Sequence, residues 1–223
     1  MDESPTGPSE RISTTDFRRA KKTADWPVTP FGPEAVFTAA SFSQAAELIA
    51  PIVAAAARYG VHPDVDLRPE GVVVRIPADD DGIPAAAIAF AAEVSEAAAE
   101  LRLAAEPSRV QSIGVYVAQN SRADVRPFFL AALGYSAWGD TDAVDPLRRG
   151  PQLAFNPIAG DVAARGRTHF DVYVPADQAQ ARVDAALAAG GRLADDTHAP
   201  AWWSLASPDN HGVDIAAWAD APR

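Results

Sequence analysis

The sequence predicts an α+β protein of two domains, and three observations carry that reading. The first half orders its apolar segments as strand, helix, strand pair and helix, a unit of roughly ninety residues. The second half contains an internal repeat: "SIGVYV" (Ser112 to Val117) and "HFDVYV" (His169 to Val174) both end in Val-Tyr-Val, with Val115 and Val172 offset by 57 positions. Between the halves, "AAEPSR" (Ala104 to Arg109) brings a proline and a return to strand character, which marks 105–109 as a linker.

Residues 1–13 are rich in Ser, Pro and Glu without apolar periodicity, and read as a disordered leader. "FGPEAVFTAASF" follows with a short strand-like pattern. From Ser43 to Tyr59, Leu48, Ile49, Ile52, Val53 and Ala56 recur at helical spacing, with Ser43 as N-cap and Gly60 as the stop. Pro51 inside this run predicts a kink or a restart. "VDLRPEGVVVRI" supplies two β-prone runs around a Pro-Glu-Gly turn. After the acidic loop "ADDDG", Pro84 suits the first position of a second helix running to about Arg102. The first domain is thus 14–104 and the second 110–221.

In the second domain each Val-Tyr-Val strand is followed by a helix ending at glycine, "VRPFFLAALGY" and "QAQARVDAALAAGG". Further strands follow, "PQLAFNPI" in the first copy, "AWWSLA" and "GVDIAAW" in the second. Two β-α-β-β-β copies would each bury one face and leave a cleft lined by alternate strand residues.

Composition excludes several classes. Hydrophobic residues at 48% and charged residues at 22% describe a globular chain, and runs such as "IPAAAIAFAAEV" fall short of a membrane span. No transmembrane helix and no membrane partner are expected. The start lacks the basic-then-apolar order of a secretory signal, and with no cysteine a disulfide framework is impossible, so the expected location is cytoplasmic. A net charge of −11 repels phosphate backbones and excludes nucleic acid as a partner, the one concentrated basic stretch, "FRRAKK", reading as a solvated helix face.

Two families are resembled. Over roughly Thr14 to Leu103 the chain is similar to the 4a-hydroxytetrahydrobiopterin (pterin carbinolamine) dehydratases, carried by Trp26, "VFTAASFSQAAELI", "HPDVDL" and "DDDGIP". Over roughly Val110 to Trp218 it resembles glyoxalase-like domains of the vicinal oxygen chelate superfamily. That likeness rests on "RPFFLAALGY", "GPQLAFNP", "RTHFDVYVP", "ALAAGGRL", "APAWWSLASPDNHG" and "VDIAAW". The resemblances imply a pterin dehydratase-like domain followed by a domain of two βαβββ modules, and a homodimer as the default assembly.

The dehydratase resemblance points to His62. The family carries His-His-Pro where this chain has Val61-His62-Pro63, and Thr-His-Asp-x-Gly-Gly-Leu-Thr where it reads "ADDDGIP". Its distal histidine falls on Asp79, or on Ala78 if the deletion lies earlier. Removing a carbinolamine hydroxyl requires a proton donor and a proton acceptor, and an Asp79 beside His62 would fix the imidazolium as an acid. The plain alternative is a polar turn residue at His62 and a solvated acidic turn at Asp79 to Asp81.

The glyoxalase resemblance implies four metal-ligand positions, which fall on Ser112, Asn156, His169 and Gly212. One good ligand of four predicts no metal and no cofactor. Strand alternation instead places His169, Asp171 and Tyr173 on one face, with Ser112, Gly114 and Tyr116 sharing a face and Asp214 on the face of Gly212. A polar cluster of His169, Asp171, Asp214, Tyr116 and Tyr173 in an apolar cup could do acid-base work or bind a ligand. The alternative is an internal His169–Asp171 pair that merely secures the strands. Of the adjacent Trp202 and Trp203, one should face the cup; Asn156 is a further ligand contact, while His198 and His211 read as loop residues.

The expected function is a metal-independent small-molecule enzyme of lyase or isomerase type, performing dehydration, elimination, isomerisation or ring closure in specialised biosynthesis. Two alternatives stand beside it: a binding protein, as in superfamily members that confer antibiotic resistance by sequestration, and residual pterin dehydratase activity through His62.

Overall fold

The computed structural model describes residues 10–78, 82–120, 126–158, 168–206 and 212–217, and the chain divides into two compact units, 1–110 and 111–223. The expected leader up to residue 9, together with Asp79, His211 and Trp218, lies outside the described residues.

The first unit opens with β1 (Arg11–Ile12) and α1 (Thr14–Arg19). Ser13 caps α1 in a capping box with Asp16, which satisfies two otherwise orphaned N–H groups. Strands β2 (Val28–Thr29) and β3 (Gly32–Thr38) lead into α2 (Phe42–Ala46) and α3 (Ile49–Tyr59). The Pro51 restart is visible here: proline sits in the first turn of α3, where a backbone N–H has no intrahelical partner to lose. Gly60 ends α3 in the left-handed conformation at φ 64, which only glycine adopts without strain. A hairpin of β4 (Asp64–Arg68) and β5 (Gly71–Arg75) turns at Pro69–Glu70. Then come β6 (Ile83–Pro84), α4 (Ala87–Glu100), β7 (Ala104–Ala105) and a 3-10 turn at Pro107–Arg109.

The sheet order is β2-β3-β5-β4, with β7 also on β3, and β1 pairs with β6 separately. Alternation sends Phe37, Val72 and Val74 into the core, where they are essentially inaccessible alongside Phe90, Leu48 and Ile52. Trp26 joins them edge-on to Phe37 and Phe90, with ring centroids 6.1 and 6.2 Å away. Its indole N–H donates to Ser95 Oγ at 3.0 Å, so the ring is buried without stranding its one polar atom.

Four boundaries differ from the sequence reading. Arg11–Ile12, assigned to the leader, form β1 because Ile83–Pro84 pair with them. Ser41, not Ser43, accepts the capping N–H of Gln44. Pro84 lies in β6 and helix α4 starts at Ala87, three residues later. The proposed linker is built into the first unit, Ala104 and Ala105 pairing with Thr38 and Phe37. Two-residue strands are too short to show a period, and each of these differences but the cap involves one.

The second unit is a tandem of two βαβββ copies. The first has β8 (Ser112–Asn120), α5 (Arg126–Leu133), β9 (Ser136–Trp138), β10 (Asp142–Val144) and β11 (Gln152–Ile158). The second has β12 (Thr168–Val174), α6 (Ala176–Ala188), β13 (Arg192–Asp195), β14 (Trp202–Ala206) and β15 (Gly212–Ala217). All eight strands form one sheet in the order β13-β14-β15-β12-β8-β11-β10-β9. The two repeat strands lie antiparallel at its centre, and each has its own copy's last strand parallel on its outer side.

Period-two alternation divides this sheet's faces. Val174, Leu205, Ile215 and Ala217 pack with Ala179 and Val183 of α6, joined by Val172 and Trp203. Val117, Leu153 and Phe155 form the matching cluster with Phe129 and Leu130 of α5. The opposite face carries the cup. No described helix is long and apolar enough to cross a membrane.

Candidate functional site

The central strands build the cup. Antiparallel register sets His169 opposite Tyr116, Asp171 opposite Gly114 and Tyr173 opposite Ser112. Parallel register then brings Asp214 of β15 beside Asp171. Two glycines make room for this set. A Cβ on Gly114 would lie 3.3 Å from Tyr173 Cε2, and one on Gly212 would lie 3.0 Å from His169 Cβ, so larger residues would displace Tyr173 and His169.

His169 Nε2 stands 3.2 Å from Asp171 Oδ1 and 3.7 Å from Asp214 Oδ2. The shorter contact has ion-pair distance but not hydrogen-bond alignment, since Asp171 Oδ1 is buried without a hydrogen-bond donor among the described residues. The other carboxylate oxygen, Oδ2, accepts from Tyr173 Oη at 3.2 Å. Tyr116 and Tyr173 hydroxyls lie 3.4 Å apart, and the Tyr116 ring stacks on His169 with centroids 4.9 Å apart. The stack and the two carboxylates together fix the imidazole's orientation.

The electrostatics follow from this placement. Asp171, as close partner and as charge, raises His169 above the ordinary imidazole value, against a partial burial that acts the other way. Burial pushes the Asp214 carboxyl up, opposed by a hydrogen bond from Ser204, its cross-strand partner. Burial raises both tyrosines, Tyr173 further through the Asp171 charge, so both remain neutral phenols across the physiological range.

Both raised groups make stability fall with rising pH. His169's contribution is complete below the ordinary imidazole pKa and is lost as pH climbs through its higher folded value. Asp214 keeps its proton longer when folded, so ionising it above the ordinary carboxylate value costs folded stability. Urea midpoints taken on either side of the imidazole titration, about pH 5.5 and 8.5, should therefore drop with pH, and by less in His169→Gln. An unchanged pH dependence in that variant would remove His169 as the source.

Tyr116, Asn156, His169, Asp171, Tyr173, Trp202 and Asp214 line one cavity of about 340 Å³ together with Ala201, Ala216 and Ala217. Seven residues singled out from the sequence thus meet in one place. Trp203 does not join them, because it faces the α6 core. His198, read as a loop residue, is exposed yet stacks on Trp202 with centroids 4.0 Å apart, which steadies that wall. Ser204 escaped the sequence reading; its place on the alternation of Trp202 was the available signal. In the first unit His62 is exposed between Gly60 and β4, and its proposed partner Asp79 lies outside the described residues.

The family's four metal positions do not fit a metal here. Gly212 has no side chain, Ser112 is a buried hydroxyl that does not line the cavity, and Asn156 is a weak donor. His169, Asp171 and Asp214 form a different set, whose ligand atoms all lie within 4.8 Å of one another and could hold a cation or a proton.

Residues 114–216 match the model of a family described as a glyoxalase-like domain. No curated protein matches the chain. Among solved structures, a glyoxalase/bleomycin resistance protein/dioxygenase superfamily member from Vibrio splendidus 12B01 is similar at 14% identity. The alignment covers 48% of this chain and 97% of that one, with a TM-score of 0.33. The second unit therefore carries a glyoxalase-like domain over residues 114–216. The family match lies entirely within the second unit and leaves the pterin dehydratase resemblance of the first as a motif-based expectation.

Proposed function

We propose that the glyoxalase-like domain is a small-molecule enzyme of acid-base type, with His169 as general acid and Asp214 as general base. The observation that carries this is His169 Nε2 lying 3.2 Å from Asp171 and 3.7 Å from Asp214 inside a ligand-sized cavity. Asp171 and the Tyr116 stack hold the imidazole, and the upward shift of its pKa favours the protonated, donating form. Asp214 is half-buried and burial raises its pKa, which makes it the better base for taking a proton from the ligand. Groups this close reach adjacent atoms on one face of a substrate. That geometry suits a syn elimination, in which His169 protonates a leaving hydroxyl while Asp214 removes the neighbouring proton, and equally an isomerisation that moves a proton between neighbouring atoms.

The reading includes a cytoplasmic homodimer, supported by the absence of cysteine and by the prevalence of paired assemblies. It also keeps the first unit as a pterin dehydratase-like domain, supported by "HPDVDL" and Trp26. Residual dehydration of a pterin carbinolamine at His62 is the weaker alternative, because the imidazole is exposed and lacks the family's first histidine.

The test is metabolite profiling by mass spectrometry with the full chain. A compound converted by wild type should be converted roughly 10²–10⁴-fold more slowly by His169→Gln, the usual weight of a general acid. Equal conversion by both would remove the cup as the catalytic site. Stoichiometric binding without conversion, abolished by the same substitution, would establish a sequestering role in place of catalysis.

A further inference from the structure

The fixed charge of the cup is one-sided, because Asp171 and Asp214 line it and no lysine or arginine does. Tyr173 spends its only proton on Asp171 Oδ2 at 3.2 Å, because a carboxylate only accepts. Tyr116 must then be the donor in its 3.4 Å contact with Tyr173, which leaves its own oxygen able only to accept. Asp171, 8% exposed, keeps Oδ1 buried with no hydrogen-bond donor among the described residues, and such an atom costs stability unless something supplies a proton to it. Asp214 adds a second carboxylate. The lining donors are the His169 imidazole, the Asn156 amide and the Trp202 indole N–H, none of them a fixed cation, and two carboxylates leave the cup negative even when the imidazole is protonated. The Trp202 indole, stacked on His198, also lines the cavity, and an aromatic ring of this kind is a favourable neighbour for a cation.

We propose that the cup takes a small organic cation, a protonated amine or amidinium, with its N–H groups on Asp171 and Asp214 and its apolar body against Trp202. This names the ligand class for the acid-base site proposed above and rests on that reading. A bare divalent ion satisfies the carboxylates but leaves Trp202 and the lining alanines unused. An anion meets two carboxylates.

The test is isothermal titration of the full chain with benzylamine and benzamidine, against benzyl alcohol and benzoate as matched neutral and anionic probes. The expected result is that the cations bind roughly tenfold or more tightly than the alcohol, the worth of a charge-assisted hydrogen bond, and that benzoate does not bind. Asp214→Asn should erase the cation preference, bringing the amines down towards the affinity of the alcohol, and Trp202→Ala should weaken both amines and alcohol. Alcohol or benzoate binding as tightly as the amines, and lost in Trp202→Ala, would overturn the cation assignment while keeping the cup as the binding site. Zinc bound stoichiometrically with no amine binding would also overturn it. Absence of all binding, or binding indifferent to both substitutions, would overturn it and count against the cup itself. Should Asp214→Asn fail to fold, the ranking of the four probes on wild type decides the matter.

Discussion

Asp171→Ala is expected to remove both the charge that sustains His169 and the acceptor that satisfies Tyr173. Asp171 is the first cause of the raised His169 pKa, so the imidazole titration should move back down when it is lost. The buried Tyr173 hydroxyl, 3.2 Å from Asp171 Oδ2, would lose its acceptor at a cost of about 1–3 kcal/mol. Turnover of any substrate found should fall roughly as far as in His169→Gln, about 10²–10⁴-fold, because a misheld and neutral imidazole is a poor acid. Asp171→Asn separates the two effects. Its amide oxygen can still accept from Tyr173, so denaturant stability should largely return, while the charge does not and the titration stays low. Histidine ring NMR across pH, with urea unfolding on the same samples, reads both; an Asn variant whose His169 titrates as in wild type would show that Asp171 is not the controlling charge.

Trp26→Ala should produce the largest loss of stability in the chain, about 3–5 kcal/mol. The ring is 1% exposed, contacts Phe37 and Phe90 edge-on, and its N–H is matched to Ser95. Truncation removes one of the largest fully buried side chains and leaves a cavity between a strand and a helix whose backbones are otherwise held apart. Domains are typically stable by only about 5–15 kcal/mol, so the variant's first unit should be close to unfolding at physiological temperature. Urea denaturation followed by circular dichroism measures the loss, and Trp26→Phe should restore most of it. A cost below about 1 kcal/mol for the alanine variant would mean that the aromatic cluster does not hold this unit together.

The cup was legible because strands have a strict period. Once "HFDVYV" is read as a strand, His169, Asp171 and Tyr173 must share a face, and the Val-Tyr-Val repeat places Tyr116 on the equivalent face of the other copy. What alternation cannot supply is register. That His169 faces Tyr116 rather than Ser112, and so stacks on it, is decided by how β8 and β12 slide past one another, which depends on packing of the whole sheet. The same limit hid Ser204, which meets Asp214 only through the pairing of β14 with β15. In the first unit Pro84 misled for a related reason: a proline suits both a helix's first turn and a short edge strand, and only the pairing with Arg11 decides between them.

The near two-fold arrangement of the eight-stranded sheet is not matched by the side chains on its cup face. His169, Asp171, Tyr173 and Asp214 all come from the second copy, whereas the first contributes Tyr116 and Asn156 along with the gap left by Gly114. A symmetric scaffold loaded on one side distinguishes head from tail. A ligand whose charged group lay against the first copy would meet Tyr116 and Asn156 in place of the two carboxylates, so the proposed binding mode favours one orientation. Duplication supplied two similar half-sites, and under the proposed reading their divergence would let the cup tell apart the two ends of a molecule.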